Sequence, residues 1–446
     1  MPGKYNKRFL IITSLVTAMG GYLFGFDFAV ITGGLPFLRE QFGLDAFQEG
    51  FTTGSLALGC IAGCLVAGRI ADQYGRKPGL SAAAVIFFLS SLSMALAPSL
   101  SWFITSRFLA GIGVGMASML SPMFIAEIAP AEMRGRLVAI NQLTIVLGQV
   151  ITHFANFQLR DMGPEAWRWM FGLGALPSFL FLTGTFFLPE SPRYLLRKGK
   201  ENESRKVLAR IGDRSFVESS VTAIRSTMDK EAASHIRGVF TKAVMPVLFI
   251  GIGLAVFQQF CGINVVFNYT TNIFRSIGAS SAEQLLQAVY ISLANLVFTL
   301  VAMALVDKWG RRPLMLAGAG GLAILYVVIG FLLFTKSSSG LSVFILAAIG
   351  MYAMSLAPLT WVLISEIFPN NIRGAAISVA VIALWAAYFI LVFTFPVIEK
   401  HFGDAAAFWG YAVICVAGFL FIYFRLPETK GKSLEEIEGE FLNHGD

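Results

Sequence analysis

Asp27 lies in the middle of an apolar run, within Gly21-Tyr-Leu-Phe-Gly-Phe-Asp-Phe-Ala-Val-Ile-Thr32. A carboxylate surrounded by hydrocarbon costs about 2.5–3.5 kcal/mol on insertion scales, so this residue type in this place points to function. Arg107, in another apolar run, is the only basic residue similarly placed. Near the Arg the acid stays charged; away from it, the acid takes up a proton. A pair that can separate is therefore a proton switch. A pair that never separates is a structural tie between two helices.

The second group is amides. Gln258, Gln259, Asn264, Asn268 and Tyr269 share one run, Gln142 and Gln149 are spaced to share a helical face, and Asn295 stands in a further run. An amide both donates and accepts a hydrogen bond, as a sugar hydroxyl does. Trp361 and Trp385 offer flat apolar surfaces for the C–H face of a pyranose. The competing reading is that the amides join helices to one another and that the tryptophans sit at the membrane interface.

These residues need elements to position them, and composition says which. The chain is 56% hydrophobic and 14% charged, with mean hydropathy +0.70. Soluble domains carry about 25% charged residues. Its apolar runs have the length that spans ~30 Å of hydrocarbon at 1.5 Å per helical residue. They fall near 9–33, 51–71, 79–98, 101–128, 137–159, 167–188, 244–274, 285–306, 313–334, 341–367, 374–398 and 405–425. Lipid cannot satisfy exposed backbone groups, so helices are expected.

Of the 34 Lys and Arg, only Arg39, Arg107, Arg160, Arg168, Arg275, Lys336 and Lys400 fall on or toward one side. The rest crowd the other side, which the positive-inside rule makes cytoplasmic, with both termini on it. The net charge of +7 has the same origin. It is not a nucleic-acid signal, because the charges flank spans and form no patch. The first apolar run is too long for a signal peptide and contains Asp27, so it reads as a retained span.

The halves repeat. Asp72-Gln-Tyr-Gly-Arg-Lys-Pro78 recurs as Asp307-Lys-Trp-Gly-Arg-Arg-Pro313. Glu127 to Arg134-Gly135 recurs as Glu366 to Arg373-Gly374, and Pro189-Glu190 as Pro427-Glu428. Two similar apolar halves can hold a site between them and rock around it. The expected organisation is a six-helix bundle over 1–189, a polar helical linker over 190–243, a second bundle over 244–426 and a tail over 427–446. In the linker, Glu203 to Ile211 and Val217 to Lys230 favour helix. In the tail, Ser433 and Glu436 suit a capping box. The repeated charges Arg76, Glu127, Arg134, Glu190, Arg193, Arg311, Glu366, Arg373 and Glu428 can bias a two-state equilibrium as a cytoplasmic gate. Arg near span ends also anchors topology.

Other patterns carry less. Gly111-Ile-Gly-Val-Gly115 resembles a dinucleotide fingerprint but lacks the βαβ context, so close helix packing is expected. Gly431-Lys432-Ser433 lacks the first glycine of a phosphate loop, so ATP binding is not expected. Cys60, Cys64, Cys261 and Cys415 read as small packing residues with no disulfide, and no metal site is expected. His153 reads as a packed, hydrogen-bonded side chain. No nucleophile–base constellation lies in the spans, which argues against an enzyme.

Taken together, the two Asp-x-x-Gly-Arg-[Lys/Arg] loops, Pro189-Glu-Ser-Pro-Arg193, Gln258-Gln-x-x-Gly-x-Asn264 and Pro427-Glu-Thr-Lys-Gly431 are specific. The chain resembles the sugar porters of the major facilitator superfamily over essentially its whole length. The resemblance implies an all-α membrane protein of twelve transmembrane helices in two pseudo-symmetric six-helix bundles, moving a hexose or pentose by alternating access. It implies sugar contacts at Gln142, Gln149, Gln258, Gln259, Asn264, Asn295, Trp361 and Trp385, and proton coupling at Asp27 with Arg107. Uniporting relatives typically carry an Asn at the Asp27 position, so symport is favoured over a proton-independent facilitator. A transporter-like sensor would have long cytoplasmic tails, and those expected here are short. Phe24, Asn268 and Tyr269 fall at the outer gate, but Asn268 stands where the family usually has a tyrosine. Ala357 replaces a glycine, and Leu384 replaces a Gln found in a xylose-carrying member, so no particular sugar is assigned. The implied partners are a monosaccharide, protons and the lipid bilayer, with no nucleic acid. No cofactor is implied, the proton being a co-substrate. The expected state is a monomer in a bacterial inner membrane.

Overall fold

The computed structural model describes residues 5–231, 241, 244–368 and 373–428. The expected capping box at Ser433 and the side chains of Asp307 and Arg373 lie outside the described residues. Among the described residues every regular element is a helix.

The first half runs α1 Lys7–Phe42, α2 Ala46–Gln73, α3 Arg76–Ala95, α4 Leu100–Ile128, α5 Ala131–Leu159, α6 Ala166–Gly172 and α7 Ala175–Phe187. Three polar helices follow: α8 Pro192–Arg197, α9 Glu201–Ile211 and α10 Arg214–Glu231. The second half runs α11 Met245–Phe260, α12 Ile263–Asn268, α13 Thr270–Ser276, α14 Ser281–Trp309, α15 Arg311–Phe334, α16 Leu341–Met354, α17 Leu356–Ile367, α18 Arg373–Phe402 and α19 Asp404–Arg425.

Twelve candidate spans emerge, one for each apolar run of the sequence. Three expected continuous spans are broken. Residues 167–188 form α6 and α7, and 341–367 form α16 and α17 with the break at Ser355. Residues 244–274 divide into α11, α12 and α13. There Gly262 adopts φ +87°, a left-handed conformation that ends one helix and starts the next. Composition alone reads through such breaks, because each interrupts a run by only one or two residues.

The duplication is visible atom by atom at two helix starts. Gly75 precedes α3 with φ +110°, and Gly310 precedes α15 with φ +89°. In the first copy, the N–H groups of Arg76 and Lys77 donate to the Glu190 carboxylate. In the second, those of Arg311 and Arg312 donate to Glu428 at 3.0 and 3.1 Å. Each acid thus sits at the positive end of a helix and satisfies donors that have no partner inside it. A Cβ on Gly75 would stand 2.2 Å from Glu190 Oε2, and one on Gly310 2.8 Å from Glu428 Oε2. Glycine and acid are therefore required together.

Small residues set the close approach of spans in the first half. A Cβ on Gly115 would stand 2.3 Å from the Cys60 carbonyl, and one on Gly59 2.0 Å from that of Phe108. The glycine run of α4 is thus a packing surface, as its sequence suggests. All four cysteines are buried.

By contacts the chain forms two compact units. One comprises 1–27, 58–151 and 168–234; the other comprises 28–57, 152–167 and 235–446.

Candidate functional site

In the first unit, α1 brings Asp27 and α4 brings Arg107 to one ion pair. Nη1 of Arg107 donates to Asp27 Oδ1 at 3.2 Å, and both side chains are 0% exposed. The guanidinium lies 5.9 Å from the Phe171 ring, which in turn packs on Phe103. Asp27 Oδ2 and Arg107 Nε and Nη2 have no hydrogen-bond partner among the described residues. An Arg–carboxylate pair built for strength is bidentate. A buried pair held by one arm recovers little of its desolvation cost. This geometry suits a contact that forms and breaks.

The other unit gathers the amides of the broken span. Gln258 and Gln259 occupy the last turn of α11, and Asn264 and Asn268 lie on α12 beyond the Gly262 break. Gln259 Nε2 donates to Gln258 Oε1 at 2.7 Å, and Asn264 Nδ2 to Gln259 Oε1 at 2.5 Å. Gln258 Nε2 donates to the Tyr352 hydroxyl at 2.8 Å. At the other end, Asn268 donates to the Asn264 main-chain carbonyl at 2.7 Å and accepts from the Tyr388 hydroxyl at 3.1 Å. Trp385 is 3% exposed and packs edge-on to Tyr388 and Phe28.

Four amide positions read from the sequence, with Trp385, thus share one unit and largely one hydrogen-bonded chain. Asn295 is buried on α14 and Trp361 is 43% exposed on α17, both in that unit. Gln142 and Gln149 face the same way on α5 of the first unit, the former half-buried and the latter buried. Of the positions expected at an outer gate, Phe24 is half-buried. Tyr269 donates to the Val392 carbonyl at 2.7 Å and packs on Phe395. Asn268 is wholly enclosed. His153 departs from expectation: it is buried at 2%, but neither ring nitrogen has a hydrogen-bond partner among the described residues.

The repeated charges form one network per half. Arg76 holds Glu127 with two arms at 2.8 and 3.0 Å, and Ser191 donates to the same carboxylate at 2.5 Å. In the second copy Arg311 reaches Glu366 at 3.4 Å. Arg134 is exposed and Arg193 half-buried.

One polar cluster has no signature in the sequence. Arg39 of α1 holds Glu49 of α2 with two arms at 2.7 and 2.5 Å and also donates to Asn272 Oδ1 at 2.8 Å. The Asn272 amide donates to Glu49 at 2.8 Å and to Glu399 of α18 at 3.1 Å. Arg39 looked like a plain exception to the charge bias. Its partners lie on other helices, so spacing gave no clue. Glu49 is 5% exposed. Arg39→Ala would leave its charge enclosed, which typically costs about 3 kcal/mol. Melting of the purified protein in detergent should fall clearly for Arg39→Ala and hardly move for Ala at the neighbouring exposed Glu40. Equal melting for the two would show that the cluster contributes nothing.

The family model for "Sugar (and other) transporter" matches residues 13–441. The D-xylose-proton symporter of Escherichia coli is 37% identical, with 98% of this chain and 97% of that protein covered. The arabinose-proton symporter of Bacillus subtilis is 36% identical, covering 97% and 95%. The solved E. coli xylose transporter, in a partially occluded inward open conformation, superposes with a TM-score of 0.86 at 35% identity. That match covers 96% of this chain and all of the other. The architecture is therefore the major facilitator fold.

Proposed function

We propose, from the premise that this chain belongs to the sugar transporter family, that it moves a monosaccharide across a membrane together with a proton, by alternating access. The observation that carries the reading is the fully buried, one-armed pair of Asp27 and Arg107. Protonation of Asp27 removes the charge that holds Arg107 and allows the loaded carrier to turn. The names of two relatives as sugar-proton symporters support the coupling.

The amides Gln142, Gln149, Gln258, Gln259, Asn264 and Asn295 read the sugar hydroxyls, and Trp361 and Trp385 face its C–H surface. Phe24, Asn268 and Tyr269 serve at the outer gate. The Arg76–Glu127 and Arg311–Glu366 networks, with Glu190 and Glu428 at their helix starts, set the cytoplasmic gate; Arg134, Arg193 and Arg373, in the first turns of α5, α8 and α18, belong to the same gate. The organisation is two bundles, 1–189 and 244–426, joined through 190–243, with 427–446 as a tail. Both termini lie on the cytoplasmic side of a bacterial inner membrane, where the Lys and Arg excess places them. The carrier works as a monomer, without a cofactor and without enzymatic turnover.

The test is uptake of radiolabelled D-xylose, L-arabinose and D-glucose into proteoliposomes, with and without an imposed inward proton gradient. Accumulation above equilibrium that requires the gradient is the expected result. Equilibration indifferent to the gradient would make the protein a facilitator, and binding without turnover a sensor.

A further inference from the structure

The amide chain ends on a residue that composition gives no reason to notice. Tyr352 sits in α16, on a different helix from the four amides, and is 8% exposed. Three hydrogen bonds run in one sense from the Asn264 amide through Gln259 and Gln258 to its oxygen, and Asn268, held by Tyr388, joins at the Asn264 main-chain carbonyl. Gln258, Gln259 and Asn264 are each 5–6% exposed, so water is poorly placed to replace a missing partner.

A glutamine amide is nearly symmetric in shape but not in chemistry. Rotating it by half a turn exchanges a donor for an acceptor. Its terminal torsion is broad and only weakly held by the side chain itself. Within the chain, Gln259 is held on both sides by Gln258 and Asn264. For Gln258 the Gln259 N–H, a donor only, sets which end is the oxygen, and the Tyr352 hydroxyl holds the other end in place.

We infer that Tyr352 is a positioning residue for sugar selection: its hydroxyl clamps the Gln258 amide, whose sense Gln259 sets, in one place. The inference rests on the reading that these amides contact the sugar. With the clamp, Gln258 presents a fixed pattern to a hydroxyl of one configuration. Without it, the amide keeps its sense but swings from its place, and meets either configuration at the same carbon less strictly. Affinity falls, and discrimination between epimeric sugars falls with it.

The experiment is a double-mutant cycle on Tyr352→Phe and Gln258→Ala, read as half-saturation and maximal rate for the best-transported sugar of the panel and for its epimers. Tyr352→Phe is expected to raise half-saturation about tenfold, the equivalent of ~1.4 kcal/mol, with maximal rate little changed. The ratio between the best sugar and its epimers should narrow. In the Gln258→Ala background the same change should add less than about twofold, because nothing is left to clamp.

An equal effect of Tyr352→Phe in both backgrounds would overturn the inference, as would unchanged selectivity. A purely structural role would lower the melting temperature without moving the epimer ratio. Should Tyr352→Phe not fold, Gln258→Ala alone still decides: wild-type affinity and selectivity in that protein would sink the clamp. A wild type that takes up none of the sugars would overturn the sugar-site reading itself, which is a different result from normal transport with an indifferent Tyr352→Phe.

Discussion

Asp27→Asn is expected to abolish accumulation of sugar against its gradient while leaving counterflow exchange intact. An imposed difference of one pH unit supplies ~1.4 kcal/mol per proton, a tenfold concentration ratio for one-to-one coupling. Wild type should approach that ratio, and the variant should stop at about one. Asn matches the acid in shape and can still accept from Arg107 Nη1, but it neither gains nor loses a proton. It therefore resembles the protonated carrier permanently.

Exchange of labelled for unlabelled sugar needs only the loaded, protonated form to turn, so it survives. Net coupled transport needs the proton to be released on the far side, so it fails. The one-armed geometry at 3.2 Å is the basis of the argument. A bidentate pair would resist separation, and its loss would appear first as instability. If the Asn protein still accumulates sugar, coupling resides elsewhere and the pair is a tie between α1 and α4. If exchange also disappears, the carboxylate is needed for turning itself.

The parts of this protein that were legible in its sequence are those where residue type clashes with surroundings. A carboxylate and a guanidinium in apolar runs stand out because hydrocarbon makes them costly, and the fold brings them together. The amides stand out for the same reason. What joins them does not: Tyr352, Tyr388 and Phe28 are aromatic residues among other apolar residues, and only their position gives them a role. The Arg39–Glu49–Asn272–Glu399 cluster was invisible because its members lie at the ends of spans, where charge is ordinary.

The repeated charges show a third case. Their recurrence was plain, and it suggested gates. The structure adds a local reason for part of it: Glu190 and Glu428 each receive the first N–H groups of the helix that follows a glycine of positive φ. Such a helix start needs glycine and acid jointly, which accounts for their repetition in both halves. The helix break at Gly262 was missed for the opposite reason. A glycine in an apolar run usually marks close packing, and nothing in its neighbours distinguishes a left-handed turn.

Gln259→Ala should be the most damaging single change among the amides proposed to meet the sugar. Gln259 is the middle of the chain: its nitrogen donates to Gln258 and its oxygen accepts from Asn264. Truncation strands two enclosed partners at once, and each stranded group costs about 1–3 kcal/mol. Both neighbours then meet the sugar unaligned; at about 1.4 kcal/mol apiece that is ~2.8 kcal/mol, or about a hundredfold in half-saturation. Gln142→Ala, by contrast, removes one half-buried amide on α5 and should cost about tenfold or less.

The measurement that separates recognition from helix joining is paired: sugar affinity and thermal unfolding on the same purified variants. If the amides recognise sugar, affinity falls by far more than stability can explain, and added sugar no longer raises the melting temperature of Gln259→Ala as it does that of wild type. If they only join helices, the melting temperature drops and the folded remainder binds sugar as before. That second outcome would remove Gln258, Gln259 and Asn264 from the site together, since one chain holds all three.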